Sequence, residues 1–212
     1  MTAESTPTWL QSRVLDLPDL VHVFTSRAGG ISTGAFAELN LKYPVNEGDE
    51  PEGYPRVREN RRRVCDFLGL PAEALVACQQ VHGDRVQPVR AADRGRGALD
   101  HADGFADTDG LITAESGIPL MVMVADCYPV LMADPVRRVA AAVHSGWRGT
   151  QQQIARKALR AMIDDFGSDP GDIRLAIGPG IGFARFEVGE EVVTAFGDQI
   201  DRDDHHLVRR EG

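Results

Sequence analysis

Apolar residues recur at helical spacing in two segments of the chain. In residues 55–70 they fall on one helical face, with Arg61, Arg62 and Arg63 between them. These apolar residues are Val57, Val64, Cys65 and Leu68. The second segment follows Gly149, and its apolar residues are Ile154, Ala158, Leu159, Met162, Ile163 and Phe166. Gly167 comes directly afterwards and predicts the end of that helix. Both segments are predicted to be surface helices that pack one face on a sheet.

Six further segments contain the short apolar runs typical of strands. They are residues 21–25, 75–81, 120–125, 130–133, 139–144 and 173–177. These runs outnumber the helices and do not alternate regularly with them. The pattern therefore predicts an α+β fold in which helices cover layered mixed sheets. No repeat or long linker divides the chain, so we expect one domain over residues 1–212. About ten residues at its N-terminus are expected to be flexible.

The composition argues against several classes of function. The chain has 212 residues, 42% of them hydrophobic, and a formal net charge of -9 without a basic stripe. This size allows a substantial core, and the charge does not suit a nucleic acid partner. The longest apolar run, residues 120–125, is too short to cross a membrane, and the N-terminal segment does not resemble a secretory signal. We therefore expect a cytoplasmic protein with no membrane partner, in which the three cysteines remain reduced.

Three segments place a metal-binding side chain at the end of a predicted strand. QQVHGD contains His82, ADCYP contains Cys127, and VHSGWRG contains His144. Zinc accepts thiolate sulfur and imidazole nitrogen, and catalytic zinc sites use three protein ligands with a fourth position for water or substrate. The separations of 45 and 17 residues are not those of a compact motif. The residue types nevertheless predict a zinc site at these three positions.

The remaining cysteines and histidines have simpler interpretations. Cys65 and Cys78 are predicted to pack as small hydrophobic side chains. His22 lies in an apolar segment and is predicted to be structural. Polar, acidic stretches typical of solvated loops contain His101, His205 and His206. The Gly-Pro-Gly sequence at residues 178–180 lacks the Lys-Ser/Thr pair of a phosphate loop and predicts a tight turn after a strand.

Several short motifs, in the right order, resemble those of the YfiH-like laccase-domain proteins. The motifs are QVHGDRV, DGLIT, ADCYPVLMAD and VHSGWRGT. Two longer blocks, FTSRAGGISTGAFAELNL and AIGPGIGFARFEVGEEV, extend the resemblance over residues 22–193. Ordered matches of this kind are much more specific than a single motif. The resemblance implies the YfiH-like α+β fold and carries the family's metal ligands onto His82, Cys127 and His144, in agreement with the residue types.

The resemblance also implies an activity. Members of the family have been described as multicopper polyphenol oxidases, but similar proteins are purine nucleoside phosphorylases. These act on adenosine, inosine and methylthioadenosine and also deaminate adenosine, and a related bacterial member is linked to peptidoglycan editing. Many relatives have cysteines and a tyrosine in the segment at residues 182–189, where this chain has neither, and their loss disfavours copper. The chain also ends before the C-terminal block expected in the family.

A zinc-dependent purine nucleoside phosphorylase is therefore the leading hypothesis, with purine nucleosides and phosphate as small-molecule partners. Cys127 would hold the metal, Asp126 would orient a ligand or transfer a proton, and Arg148 would contact an oxyanion. Arg27 is a second candidate for phosphate or ribose. Base or sugar contacts are predicted for Gln80, Asn40 and Trp147. Structural alternatives remain for these side chains, namely a buried hydrogen-bonding role for Asp126, a core position for Trp147 and a surface position for the arginines.

Three other functions remain open. With Cys127 as nucleophile and His144 as base, the protein would be a cysteine hydrolase that acts on cell-wall precursors. With a closed coordination shell, the metal would only stabilise a non-catalytic binding domain. Copper-dependent phenol oxidation ranks last, because one cysteine lies near the site and there is no His-x-His pair. The preferred nucleoside and the oligomeric state are not predicted.

Overall fold

Seven short strands form two sheets in the structure, a computed structural model that describes residues 9–43 and 53–199. In chain order the strands are β1 (Val76–Ala77), β2 (Val86–Pro88), β3 (Gly110–Thr113), β4 (Leu120–Met121), β5 (Tyr128–Asp134), β6 (Val139–Ser145) and β7 (Arg174–Ile177). The larger sheet has the order β2-β3-β6-β5-β7 and is antiparallel except for the parallel pair β2-β3. β1 and β4 form a separate parallel pair. The predicted α+β fold with mixed sheets is confirmed.

One long helix covers the centre of the larger sheet. The helices are α1 (Gly53–Leu68), α2 (Trp147–Gln151), α3 (Ile154–Phe166) and α4 (Glu190–Phe196). α3 contributes Ile154, Ala158 and Met162, which are four residues apart and each 0% exposed. Burial of an aliphatic side chain of this size stabilises the fold by roughly 1.5–3 kcal/mol. The same core contains Ile112, Val130, Met132, Val139, Ala141 and Val143 from the sheet. α3 ends at Gly167, whose φ of 70° is in the left-handed region that favours glycine.

A buried asparagine attaches the segment at residues 31–40 to α1. Asn60 is 0% exposed, and its Oδ1 accepts a hydrogen bond from the backbone N–H of Ile31 at 2.8 Å. Its Nδ2 donates to the carbonyl of Asn40 at 2.8 Å. A buried amide without such partners would be costly, so these bonds hold the segment in one position. They place Asn40 and its neighbours beside the first turns of α1.

The predicted helices are confirmed as α1 and α3. The strands predicted at residues 130–133, 139–144 and 173–177 correspond to β5, β6 and β7. The other three strand predictions were too long, because only the short strands β1 and β4 and two isolated bridges, Leu10 with Phe24 and Cys78 with Phe105, form there. Near β4 the reason is local: the side-chain amide of Gln80 pairs with both backbone groups of Met123, where a neighbouring strand would otherwise pair. β2 and β3, with only three and four residues, were not predicted.

Two sequence-based predictions concern residues outside the described ranges. They are the flexibility of residues 1–8 at the N-terminus and the solvated positions of His205 and His206. No helix in the described ranges is both long enough and apolar enough to cross a membrane.

Candidate metal centre

The three predicted ligands come together at one end of the larger sheet. Cys127 directly precedes β5, and His144 lies in β6, opposite Pro129 in the antiparallel register. His82 comes from the loop between β1 and β2. One ligand atom from each of the three residues lies within 4.8 Å of the others. His144 is buried, Cys127 is half-buried and His82 is exposed, so the group faces outward on one side.

Asp109, which directly precedes β3, connects two of these ligands. It is 0% exposed, and its Oδ1 is 2.7 Å from Nδ1 of His144. The same carboxylate accepts backbone N–H bonds from Val81 at 3.1 Å, His82 at 3.0 Å and Gly83 at 2.8 Å. His82 has a φ of 62°, and this turn of the backbone presents three successive N–H groups to one carboxylate. Asp109 thus fixes both the backbone at His82 and the ring of His144.

The bond to Asp109 determines which nitrogen of His144 is available. An ionised carboxylate accepts hydrogen bonds only, so Nδ1 carries the proton and Nε2 is left as the metal-binding atom. Histidine ligands in metal sites are commonly oriented in this way by a carboxylate. Burial alone would raise the pKa of Asp109, but the hydrogen bonds from His144, Gly83 and Val81 outweigh it and hold that pKa below its usual value. The carboxylate therefore stays ionised at neutral pH.

Gly146 provides space between the three ligands. A Cβ at this position would lie 3.0 Å from Cδ2 of His82 and 3.2 Å from Sγ of Cys127. It would also lie 3.6 Å from Cε1 of His144. Glycine is thus the residue that leaves the region beside all three ligand atoms open.

The protonation of the ligands is set by burial and by neighbouring charges. Burial, with smaller contributions from His144, Arg148 and Lys42, lowers the pKa of His82, so its imidazole is neutral at pH 7. Burial, followed by the negative charges of Asp126 and Asp109, raises the pKa of the Cys127 thiol above its ordinary value. A soft sulfur and two imidazole nitrogens form a donor set that fits zinc, and the buried Asp109 carboxylate supports one of the imidazoles from behind.

A cavity of about 1310 Å³ opens beside the ligands. Its walls include the three ligands and four other residues singled out from the sequence: Arg27, Asn40, Gln80 and Asp126. Arg148 and Trp147 are not among the described lining residues, and the Arg148 guanidinium lies 4.4 Å from the Trp147 ring centroid. Asp126 is exposed, and its backbone carbonyl accepts a hydrogen bond from Ile181 at 2.8 Å.

The side chains of three cavity residues form hydrogen bonds with backbone groups of the protein. The Gln80 amide donates to the Met123 carbonyl at 2.7 Å and accepts from its N–H at 2.8 Å. The Asn40 side chain pairs in a similar way with the backbone of Lys42, at 3.2 and 3.1 Å. Both Nε and Nη2 of Arg27 donate to the carbonyl of Ala37. Each of these residues thus shapes the cavity wall, and their contacts to substrate remain predictions.

The sequence interpretation missed several residues of the site. Asp109 is the first residue of the DGLIT motif, which carried the family resemblance without a chemical role. Gly146 lies in VHSGWRGT in the same way. His101 was predicted to be in a solvated loop, but it is half-buried and lines the cavity. Its pKa is lowered by burial and then by the positive charges of Arg61 and Lys42, two further residues of the cavity wall.

The fold and the site together define a class: an α+β protein with a candidate metal centre of two histidines and one cysteine beside a large cavity. Residues 21–211 match the family model described as multi-copper polyphenol oxidoreductase laccase. The chain belongs to this family.

Relatives and a solved structure support the same assignment. The chain is 40% identical over 198 residues to a protein of Deinococcus radiodurans named purine nucleoside phosphorylase, covering 92% of this chain and 69% of that protein. It is 34% identical over 177 residues to purine nucleoside phosphorylase YlmD of Bacillus subtilis, covering 84% of this chain and 62% of YlmD. The crystal structure of the hypothetical protein YfiH of Bacillus licheniformis superposes with a TM-score of 0.78 at 33% identity, covering 86% of this chain and 67% of that one. The predicted YfiH-like fold is confirmed, and the chain spans about two thirds of the length of these proteins.

Proposed function

We propose that this protein is a zinc-dependent purine nucleoside phosphorylase that acts on adenosine, inosine and S-methyl-5'-thioadenosine in the cytoplasm. The observation that carries the proposal is the convergence of His82, Cys127 and His144 on one point at the wall of a large cavity. Relatives that are 34–40% identical bear the name purine nucleoside phosphorylase, which supports the reaction class. The cavity is large enough for a nucleoside and an anion together.

Phosphorolysis exchanges one bond at the sugar for another. The bond between the purine nitrogen and C1′ breaks, a phosphate oxygen bonds to C1′, and the departing base takes up a proton. A zinc ion held by the three ligands would supply a Lewis acid that stabilises negative charge on an oxygen at its fourth position. Orientation, proton transfer and substrate binding are assigned to the residues of the chain.

The residues around the ligands have distinct proposed roles. Asp109 holds His144 in one tautomer, so that no reorganisation is needed when the site is used. Asp126 is exposed beside Cys127 and is the proposed group for proton transfer to or from the base. Arg27, Asn40 and Gln80 line the cavity as proposed contacts to ribose, base or phosphate. The Arg148 guanidinium lies over the Trp147 ring, and these two residues are proposed contacts to an oxyanion and to base or sugar.

Adenosine deamination is proposed as a second reaction of the same site. It replaces the 6-amino group of the purine by an oxygen from water and needs a carboxylate that moves protons. Asp109 is unsuited to this role, because it is buried and occupied by four hydrogen bonds. Asp126 is exposed at the cavity and is the better candidate.

One geometric feature favours a second candidate function, a cysteine hydrolase. Cys127, His144 and Asp109 stand in the order nucleophile, base and orienting carboxylate. Against this, the Cys127 thiol has a raised pKa, whereas a nucleophilic cysteine needs a lowered one. His82 also has no role in such a triad, but it completes a set of three metal ligands.

The decisive experiment compares zinc-loaded and chelator-treated protein. Adenosine, inosine and methylthioadenosine are incubated with and without phosphate, and the products are separated by chromatography. Cys127→Ala removes a ligand, and Cys78→Ala is the matched control, because Cys78 is a buried thiol outside the cavity. We expect phosphate-dependent release of free base that is lost with Cys127→Ala and on chelation but kept with Cys78→Ala.

Other outcomes distinguish the alternatives. Hydrolysis of a cell-wall precursor that survives chelation but is abolished by alkylation of Cys127 would support the hydrolase. Oxidation of a phenol by copper-loaded protein, without nucleoside turnover, would support the polyphenol oxidase. A protein that binds zinc tightly and turns over none of these substrates would be a binding domain.

A further inference from the structure

Arg61 is a buried charged residue of α1 whose side chain lines the cavity. Its side chain is only 3% exposed. Nε donates to the carbonyl of Leu41 at 2.9 Å, and Nη1 donates to those of Gly97 at 2.5 Å and Ala98 at 3.0 Å. The guanidinium carbon lies 4.2 Å from the centroid of the Tyr43 ring. The side chain is therefore held rigidly in one conformation.

No carboxylate among the described residues pairs with Arg61. Its polar partners are three backbone carbonyls, and a buried cation is expensive when it lacks an anion. Burial lowers its pKa to about 10, so the group still carries its charge at pH 7. Positive charge is thus held inside the protein without a negative partner in the described part of the chain.

One nitrogen of the guanidinium, Nη2, has no strong acceptor among the described residues. The acceptor for Nη2 among the described residues is the sulfur of Met123, at 3.7 Å, which is a weak partner. Met123 is four residues before Cys127, and its backbone is bonded to Gln80, two residues before His82. Arg61 therefore contacts a residue close in sequence to Cys127, and it lines the same cavity as the three ligands.

Two further groups bring positive or donor character to this part of the cavity. Lys42 is exposed and lines the cavity, and its backbone is held in place by the side chain of Asn40. His101 lines the cavity near both cations. The described carboxylates of the wall include Asp126 and Glu115, and neither contacts Arg61. This arrangement is typical of a site for an oxyanion with several oxygens.

We propose that Arg61, Lys42 and His101 form a phosphate subsite in the cavity beside His82, Cys127 and His144. This proposal rests on the proposed phosphorolysis and names the residues that bind its co-substrate. It also moves the phosphate away from the arginines selected from the sequence. Nε and Nη2 of Arg27 donate to the Ala37 carbonyl, and Arg148 lies over the Trp147 ring outside the described cavity lining.

A purely structural role for Arg61 is the competing explanation. The three carbonyl bonds do fasten α1 to the segments around residues 41 and 97. That role, however, needs only Nε and Nη1, and it does not involve Lys42. The Lys42 side chain therefore provides a test of the subsite that leaves the packing of α1 unchanged.

The test measures binding of inorganic phosphate to the zinc-loaded full chain by calorimetry, with no nucleoside present. Lys42→Met removes the exposed charge, and Arg61→Lys keeps the charge but loses the fork of donors. Lys157→Met is the matched control, because Lys157 is an exposed lysine that pairs with Asp84 outside the cavity. We expect phosphate affinity to fall roughly tenfold with Lys42→Met and tenfold or more with Arg61→Lys, as for lost charge-assisted hydrogen bonds. Lys157→Met should bind like the wild type.

The outcomes separate this proposal from the proposed function. Wild-type affinity in Lys42→Met overturns the subsite, as does a wild-type protein that binds no phosphate. Loss of binding in Arg148→Met with unchanged binding in Lys42→Met assigns phosphate to Arg148 and also overturns the subsite. If Arg61→Lys does not fold, the Lys42→Met result decides. Phosphate binding that depends on Lys42 without nucleoside turnover would reject the phosphorylase and keep the subsite.

Discussion

Asp109 and His144 are joined by two hydrogen bonds, one through their side chains and one through their backbones. Oδ1 of Asp109 and Nδ1 of His144 are 2.7 Å apart, and the His144 N–H donates to the Asp109 carbonyl at 2.7 Å. The pairing of β3 with β6 creates this arrangement, since Gly110 stands opposite Val143 in the register. The sheet thus positions the carboxylate and the imidazole as one unit.

Replacing this carboxylate by an amide is expected to weaken zinc binding. In Asp109→Asn one oxygen becomes an NH₂ group, which faces backbone N–H donors and can no longer satisfy all of them. We expect zinc affinity, measured by competition with a chelator, to fall about 10–100-fold, as for other groups that orient metal ligands. Asp126→Asn is the matched control, and its zinc affinity should stay within a few-fold of the wild type. Equal affinities for Asp109→Asn and the wild type would contradict the orienting role.

The space at Gly146 yields a second prediction. Gly146 has a φ of -74°, so alanine fits its backbone and Gly146→Ala changes only the space among the ligands. Overpacked contacts cost about 1–3 kcal/mol, and we expect zinc affinity to fall about tenfold or more while the metal-free fold is kept. Gly182→Ala is the control, because its φ is -77° and a Cβ there meets nothing within 4 Å. Isothermal titration and thermal unfolding of both variants check this, and a normal affinity for Gly146→Ala would be evidence against a metal between these ligands.

The three thiols should differ in reactivity. Burial raises the pKa of Cys65 to about 11 and that of Cys78 to about 12, and both side chains are 1% exposed. At pH 8 neither forms a thiolate to any extent, so a thiol reagent should modify only Cys127 in the native, metal-free protein. Zinc should protect Cys127, and unfolding should expose all three thiols. Fast modification of Cys127 at the same rate with and without zinc would show that its sulfur is not a ligand.

Zinc affinity should rise with pH across the neutral range. The raised pKa keeps the Cys127 thiol protonated there, and this proton must leave before the sulfur can bind metal. The lowered pKa of His82 means that this imidazole is already neutral and releases no proton. Between pH 7 and pH 8.5 we expect the apparent affinity to increase about tenfold per pH unit, the slope for one released proton. An affinity independent of pH in this window would mean that the thiol is already ionised or is not involved.

Residue type revealed the ligands, but the group that orients them depends on the fold. Cys127 and His144 were recognisable because each stands where an apolar run ends. Asp109 is 35 residues from His144 and 27 from His82, and the pairing of β3 with β6 on one side and with β2 on the other brings the three residues together. The acidic residues around His101 in the sequence predicted a solvent-exposed position. No local pattern shows that Arg61, on α1, lies near this histidine in the fold. Gln80 looked like a polar group available to a substrate, but its amide is used on the Met123 backbone.

The hairpin of β5 and β6 has a consequence for how the site assembles. Asp134 pairs with Val139 at its closed end, and Tyr128 pairs with Ser145 at its open end, next to Cys127 and His144. The turn between the strands is short, so this pairing requires little loop closure and can form early in folding. The two ligands then lie at the open end of the hairpin, where hydrogen bonds form last and open first. A metal bound by both ligands would cross-link the ends of β5 and β6 and slow the opening of the outer hydrogen bonds of the hairpin.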